Sequence, residues 1–375
     1  MARALAHWGR EARSKWWLLL VALLSYGCGG GGSSNGQQPP PPTNRPPTVS
    51  TVDQLEVLGG GVALLTATAS DPDGDALTFS WSQISGTPVQ IVDTSSLSTE
   101  FDAPVVPGVT ELEFEITATD SAGLSSSDSS RVTVTTGYVA CMPASPPASL
   151  TLDPFYEKYC DANGIPVLSS SLVPDGAIQL VRFQAMEMLK RRPLVAAAMI
   201  QRDTRIAIMA VTEVTTDIPE HSDLYAAFPG IDWDVRARGL GATPARPASS
   251  AAEENVLCYA NDVYAGESIF IHEFAHTIAI MGLQDVDPSF DSRLEATYDA
   301  AIASGLWVNT YAATNKDEYW AEGVQAWYNT NLESDPPDGV HNAINTRAEL
   351  ATYDPGLYQL ILEVFPEETI ALCPT

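Results

Sequence analysis

Apolar and polar residues alternate with a period of two through much of residues 48–136. The clearest runs are 62–68, 77–81, 112–118 and 131–134. Their β-branched and aromatic content predicts strands with one buried face. Clusters of Gly, Pro, Asp and Ser separate them at the spacing of a sandwich, with Trp81 placed to fill the gap between two sheets. From about Tyr138 the period lengthens. Residues 177–190 follow helical spacing, with Pro174 placed to start the helix and Pro193 to stop it. A short helix is expected over 194–200 and a buried strand over 205–211. Residues 212–264 carry little pattern and read as loops. Helices are expected over 268–281, 289–303, 315–329 and 356–364, with Gly282 and Gly305 as C-terminal caps. The chain is therefore expected to be multidomain. An N-terminal all-β sandwich (48–136) precedes a mostly helical α+β domain (137–375).

What precedes the sandwich is of another kind. Arg3, Arg10, Arg13 and Lys15 precede an apolar run, residues 16–24, far shorter than the ~20 residues that cross a bilayer as a helix. Residues 25–28 (Ser-Tyr-Gly-Cys) resemble a bacterial lipobox, although Ser25 stands where Leu is usual. Residues 1–28 then form a lipoprotein signal peptide, and Cys28 receives the lipid. Gly29 and Gly30, with no Asp in second place, resemble an outer-membrane address. Residues 29–47, rich in Gly, Ser and Pro, read as a tether. The protein is expected outside the cytoplasm, anchored to the bacterial envelope or secreted, and touching membrane only through its lipid.

The 375 residues carry a formal charge of −28, which excludes nucleic acid as a partner because phosphate binding needs clustered cations. Of five cysteines, those left after Cys28 are Cys141, Cys160, Cys258 and Cys373. An exported chain with four such residues is expected to form two disulfides, and spacing does not choose among the pairings.

Residues 69–75, 81–83, 101–104 and 118–123 give the sandwich a resemblance to PKD-type immunoglobulin-like domains. Asp71, Asp73, Asp75 and Asp120 offer carboxylate oxygens of the kind that hold Ca²⁺. The run Asp-Pro-Asp-Gly-Asp is also what a tight turn requires, and a turn is the favoured role.

The chemistry lies further on. His272 and His276 are four residues apart, so on a helix both imidazoles share one face and can share one metal ion. Glu273, about a hundred degrees round the helix, can reach a water beside that ion without binding the ion. This is the H-E-x-x-H logic of zinc hydrolases. The helix is otherwise apolar, so three ionisable groups on it need something to satisfy them. A third ligand is expected from Glu318 or Glu322, one turn apart on a second apolar helix that Thr314 is placed to cap. His221 and His341 are isolated and read as ordinary surface residues.

With Tyr311 seven positions before Glu318, this arrangement resembles the catalytic lobe of anthrax lethal factor and the Pro-Pro endopeptidases, which are zincins. The resemblance implies that His272, His276 and Glu318 bind one Zn²⁺ and that Glu273 is the general base. It also implies that Tyr311 donates to the oxyanion and that Glu322 orients a ligand histidine. The activity expected is endopeptidase cleavage of a protein or peptide. Two alternatives are a zinc amidohydrolase acting on cell-wall material and a non-catalytic surface adhesion or binding lipoprotein.

Overall fold

The computed structural model describes residues 43–135, 141–370 and 372. The export segment, Cys28, most of the tether and Cys373 lie outside these residues.

Seven strands build the N-terminal sandwich. They are β1 (Thr48–Thr51), β2 (Gln54–Leu58), β3 (Val62–Ser70), β4 (Thr78–Ser85), β5 (Ser98–Asp102), β6 (Thr110–Thr119) and β7 (Ser125–Thr135). One sheet has the order β1-β3-β5 and the other β2-β7-β6-β4. The two-residue period of β6 turns Leu112, Phe114, Ile116 and Ala118 inward, all fully buried. Leu112, Phe114 and Ile116 cluster with Leu65 and Phe101 from the facing sheet, and Phe101 and Phe114 lie 4.6 Å apart between centroids. Trp81 is buried as expected, and its indole N–H donates to the Ser96 carbonyl at 3.0 Å. Burial of each such side chain contributes about 1.5–3 kcal/mol.

The second lobe is helix-rich around a five-stranded sheet, ordered β11-β12-β10-β9-β8. Its strands are β8 (Lys158–Ala162), β9 (Ile165–Ser169), β10 (Arg205–Met209), β11 (Gly239–Leu240) and β12 (Ala248–Ala252). β10 runs parallel to both β9 and β12, while β8 and β11 are antiparallel edges. Residues 212–264 are thus not only loops. They hold two strands, and β12 (Ala-Ser-Ser-Ala-Ala) is buried throughout. Small residues with no alternation concealed it, and the same small residues let a helix lie close upon it. Pro193 does not merely end the helix Asp175–Leu189. It also opens the next one, Pro193–Gln201, at the position where its missing N–H costs nothing.

The sandwich docks on this lobe through the Arg182–Glu56 ion pair at 3.1 Å and the Val62 N–H, which donates to the Lys190 carbonyl at 2.6 Å. Cys141 and Cys160 form a disulfide. Cys258 is also disulfide-bonded, its partner lying outside the described residues. Among the described residues no helix is long and apolar enough to cross a membrane.

Candidate metal centre

The motif helix spans Ile269–Ile278. Ser268 caps it by accepting from the Ile271 N–H, and Asn255 Oδ1 takes the Ile269 N–H at 2.9 Å. Phe270, Ile271, Phe274, Ala275 and Ile278 are buried, which fixes the rotation of the helix and turns His272, Glu273 and His276 toward a common space. After Ile278 the helix widens into a π turn, Ala279–Leu283. Gly282 lies inside that turn and is not a cap. A Cβ there would come within 2.5 Å of Val195 Cγ1, so glycine is needed for close packing. Gly305, with φ of 78°, does close its helix as expected.

Opposite lies the carboxylate helix, Lys316–Trp327. Its cap is Asn315, not Thr314. The Asn315 carboxamide oxygen accepts from the Asp317 and Glu318 N–H groups at 2.8 and 3.0 Å. Thr314 instead ends a 3-10 turn, Tyr311–Thr314, one position too early to reach them. The Trp320 indole donates to the Ala275 carbonyl at 3.0 Å and pins the two helices together.

Three donor atoms converge between the helices. His272 Nε2 and His276 Nε2 lie 3.1 and 3.2 Å from Glu318 Oε2 and 3.2 Å from each other. The other Glu318 oxygen accepts the Tyr311 hydroxyl at 3.0 Å. Gln325 is fully buried and donates through Nε2 to the Ser268 carbonyl at 3.1 Å and to Glu267 at 3.3 Å. Its oxygen must therefore accept, and it faces His272 Nδ1 at 2.8 Å. That bond puts the His272 proton on Nδ1 and leaves a lone pair on Nε2 whenever the ring is neutral.

Glu322 faces His272 without hydrogen-bonding it. Its Oε1 is 3.7 Å from Nδ1, and its Oε2 accepts from Asn331 at 3.0 Å. The residue that does hydrogen-bond His272 Nδ1, Gln325, was missed in the sequence. Its signal was positional, because residues 318, 322 and 325 fall on one face of a helix. His221 and His341 are buried, contrary to expectation. His221 Nε2 lies 3.0 Å from Ser250 Oγ, and His341 Nε2 lies 3.4 Å from Glu267. Both contacts cross the fold, so a histidine isolated in sequence gives no sign of them.

Glu273 sits against the edge strand. A Cβ on Gly239 would meet Glu273 Cγ at 3.3 Å, and one on Gly241 would meet His276 Cβ at 2.9 Å. Burial pushes the Glu273 carboxyl above the usual carboxylate range, opposed by the two histidines and the Gly241 N–H. Burial would lower His272, but the Glu318 hydrogen bond and the charges of Glu273, Glu318 and Glu322 outweigh it and hold the ring at about 10. Burial would raise Glu318, yet the charge of His276 and hydrogen bonds from both histidines hold it well below the usual range.

In the sandwich, Asp71, Asp75 and Asp120 bring oxygens within 4.8 Å of one another, while Asp73 turns away to Arg45. Asp71 Oδ1 accepts from the Asp73 and Asp75 N–H groups at 2.8 and 3.1 Å, and Asp120 Oδ1 from those of Ala122 and Leu124 at 2.9 Å each. These bonds build two turns, with Gly74 at φ of 82°.

Residues 55–134 match a family model described as a PKD domain, and the sandwich is a PKD domain. No curated protein matches the chain. Among solved structures, the PKD domain from KIAA 1837 protein is 17% identical over 30% of this chain and 99% of its own, with a TM-score of 0.20. The PKD1 domain of Vibrio anguillarum Epp is 16% identical over 25% of this chain and 99% of its own, with a TM-score of 0.20. A nucleoside hydrolase-related hypothetical protein from Saccharophagus degradans, associated with carbohydrate metabolism, is 26% identical over 24% of this chain, with a TM-score of 0.23. The chain spans 26% of that protein's length.

Proposed function

We propose that the second lobe is a zincin-like zinc hydrolase that cleaves peptide bonds, with His272, His276 and Glu318 as its metal ligands. One observation carries the reading: two imidazole nitrogens and a carboxylate oxygen form a triangle with edges of 3.1–3.2 Å. Ligand bonds of about 2.0–2.1 Å at tetrahedral angles separate donor atoms by roughly 3.3–3.4 Å, so the donor set fits zinc. Gln325 supports the same reading. It leaves the lone pair of neutral His272 facing the His276 ring, an arrangement a cation satisfies and a second lone pair does not.

Bound at this triangle, zinc supplies Lewis acidity toward a carbonyl and makes water acidic enough to attack near neutral pH. The residues of the chain do the rest. Glu273 lies beside the ligands without joining them. It takes the proton of the attacking water and then hands it to the departing amine. The Tyr311 hydroxyl, which rests on Glu318, swings to donate to the oxygen that gains charge in the transition state. Gln325 keeps His272 in its binding tautomer. The envelope location extends the reading: lipid on Cys28 and the tether would present this site and the PKD domain outside the cytoplasm.

Elemental analysis of the purified chain and a peptide-library digest test the proposal, with Glu273→Gln as control. We expect one zinc per chain, cleavage by the wild type, and a Glu273→Gln protein that keeps zinc and loses about 10²–10⁴ in rate. Absence of bound zinc, or full turnover by Glu273→Gln, would overturn it.

A further inference from the structure

We propose that Arg236 reads a carboxylate on the substrate, so that the site prefers peptides bearing an Asp or Glu side chain close to the scissile bond. The inference rests on the peptidase reading and adds a substrate class to it.

Among the described residues, one arginine lacks an acceptor. Arg45, Arg131, Arg182, Arg191, Arg202, Arg205, Arg238, Arg246 and Arg293 each meet a carboxylate. Arg192 and Arg347 donate to backbone carbonyls. Arg236 alone has neither kind of partner among the described residues. It is exposed, and its guanidinium lies 5.9 Å from the Trp233 ring centroid. The nearest acids in sequence are engaged elsewhere. Asp234 accepts from the Thr216 N–H and hydroxyl and from Tyr225, and Asp232 accepts from Tyr225, all at 2.9–3.1 Å. In a chain of charge −28, an uncompensated exposed guanidinium is out of keeping with its surroundings.

Its location supplies the purpose. Arg236 closes the one-turn helix Trp233–Arg236. Two residues later, Arg238 is locked by a forked pair to Glu254 at 2.6 and 3.0 Å and by the Ala210 carbonyl at 3.2 Å. Next comes Gly239, packed against Glu273. The clamp on Arg238 thus fixes where Arg236 stands relative to the general base. The Tyr264 hydroxyl approaches the Arg236 carbonyl to 3.5 Å. Val235, next to it in the chain, and Val263, next to Tyr264, are 81% and 79% exposed, so this stretch of surface offers apolar as well as cationic contact. A guanidinium fork matches a carboxylate in two parallel hydrogen bonds.

The test gives a positional-scanning peptide library to the zinc-loaded full chain, and separately measures capture of the same library by its Glu273→Gln variant. We expect Asp and Glu to exceed Asn and Gln by roughly three- to tenfold at one position, in both kcat/KM and capture, the range of a partly exposed charge pair. Arg236→Gln should abolish that preference, and Arg236→Glu should turn it toward Lys. Cleavage without acidic preference, or a preference unchanged in Arg236→Gln, would overturn the inference and leave the peptidase reading standing. Acidic capture that depends on Arg236, without zinc or cleavage, would uphold the carboxylate site while the peptidase reading fell.

Discussion

Replacing Gln325 with Leu keeps the approximate volume of the side chain and removes its amide. The wild-type amide makes three hydrogen bonds, to His272 Nδ1, the Ser268 carbonyl and Glu267. Two of those partners keep another: Ser268 O still accepts from the His272 N–H, and Glu267 from His341. His272 Nδ1 keeps none, because Glu322 at 3.7 Å is beyond hydrogen-bond reach. Three bonds at about 1 kcal/mol net, with one buried donor orphaned, put the loss of stability in the metal-free protein at about 2–4 kcal/mol. The effect on metal is separate. Without its partner His272 can turn or take the other tautomer, and loss of such an orienting contact typically costs about 10–100-fold in affinity. At fixed excess zinc, the stabilisation gained from the ion should then shrink by about 1.4–2.7 kcal/mol. Urea unfolding in chelator and in zinc separates the two numbers, and a chelator-competition titration measures the affinity directly. A Gln325→Leu protein that is less stable but binds zinc within about twofold of wild type, against the loss expected of an orienting contact, would show that Gln325 supports the fold and does not orient the metal ligand.

Tyr311→Phe should retain full zinc by elemental analysis while kcat falls about 10²–10³-fold; loss of zinc would make Tyr311 a structural support of Glu318. His221 gives a pH prediction, because burial lowers its pKa from 6.5 to about 4. A depressed folded-state pKa contributes stability that is whole above 6.5 and is lost as pH falls through 4, here about 3 kcal/mol. His221→Gln should flatten that part of the stability profile in the metal-free protein, and a difference profile that stays level from about pH 7 to 4 would refute the assignment.

The sandwich was legible because its strands have one wet face. Leu112, Phe114 and Ile116 alternate with Glu113, Glu115 and Thr117, and that period has few other readings. β12 was hidden for the opposite reason. It is buried on every side and built of Ala and Ser, so it shows neither period nor β-branched bulk. At the candidate site, His272, Glu273 and His276 announce themselves by spacing within one helix. Glu318 comes from another helix, and its distance from Tyr311 and its place at the start of that helix marked it over Glu322. Gln325, Gly239 and Gly241 act through contacts between segments far apart in the chain. Thr314 and Asn315 are adjacent residues that both cap well, and the backbone alone decided between them.

The indole of Trp320 reaches the middle of the motif helix, at Ala275, one residue before His276. The two halves of the ligand set are thus riveted by an aromatic side chain that is itself fully buried, and their separation is a property of the polypeptide. Capture of an ion would then order no chain and release no folding energy of the kind seen when a zinc finger closes. Chelation should leave both helices formed, with the far-ultraviolet circular dichroism of the protein unchanged, an empty receptacle that refills without refolding.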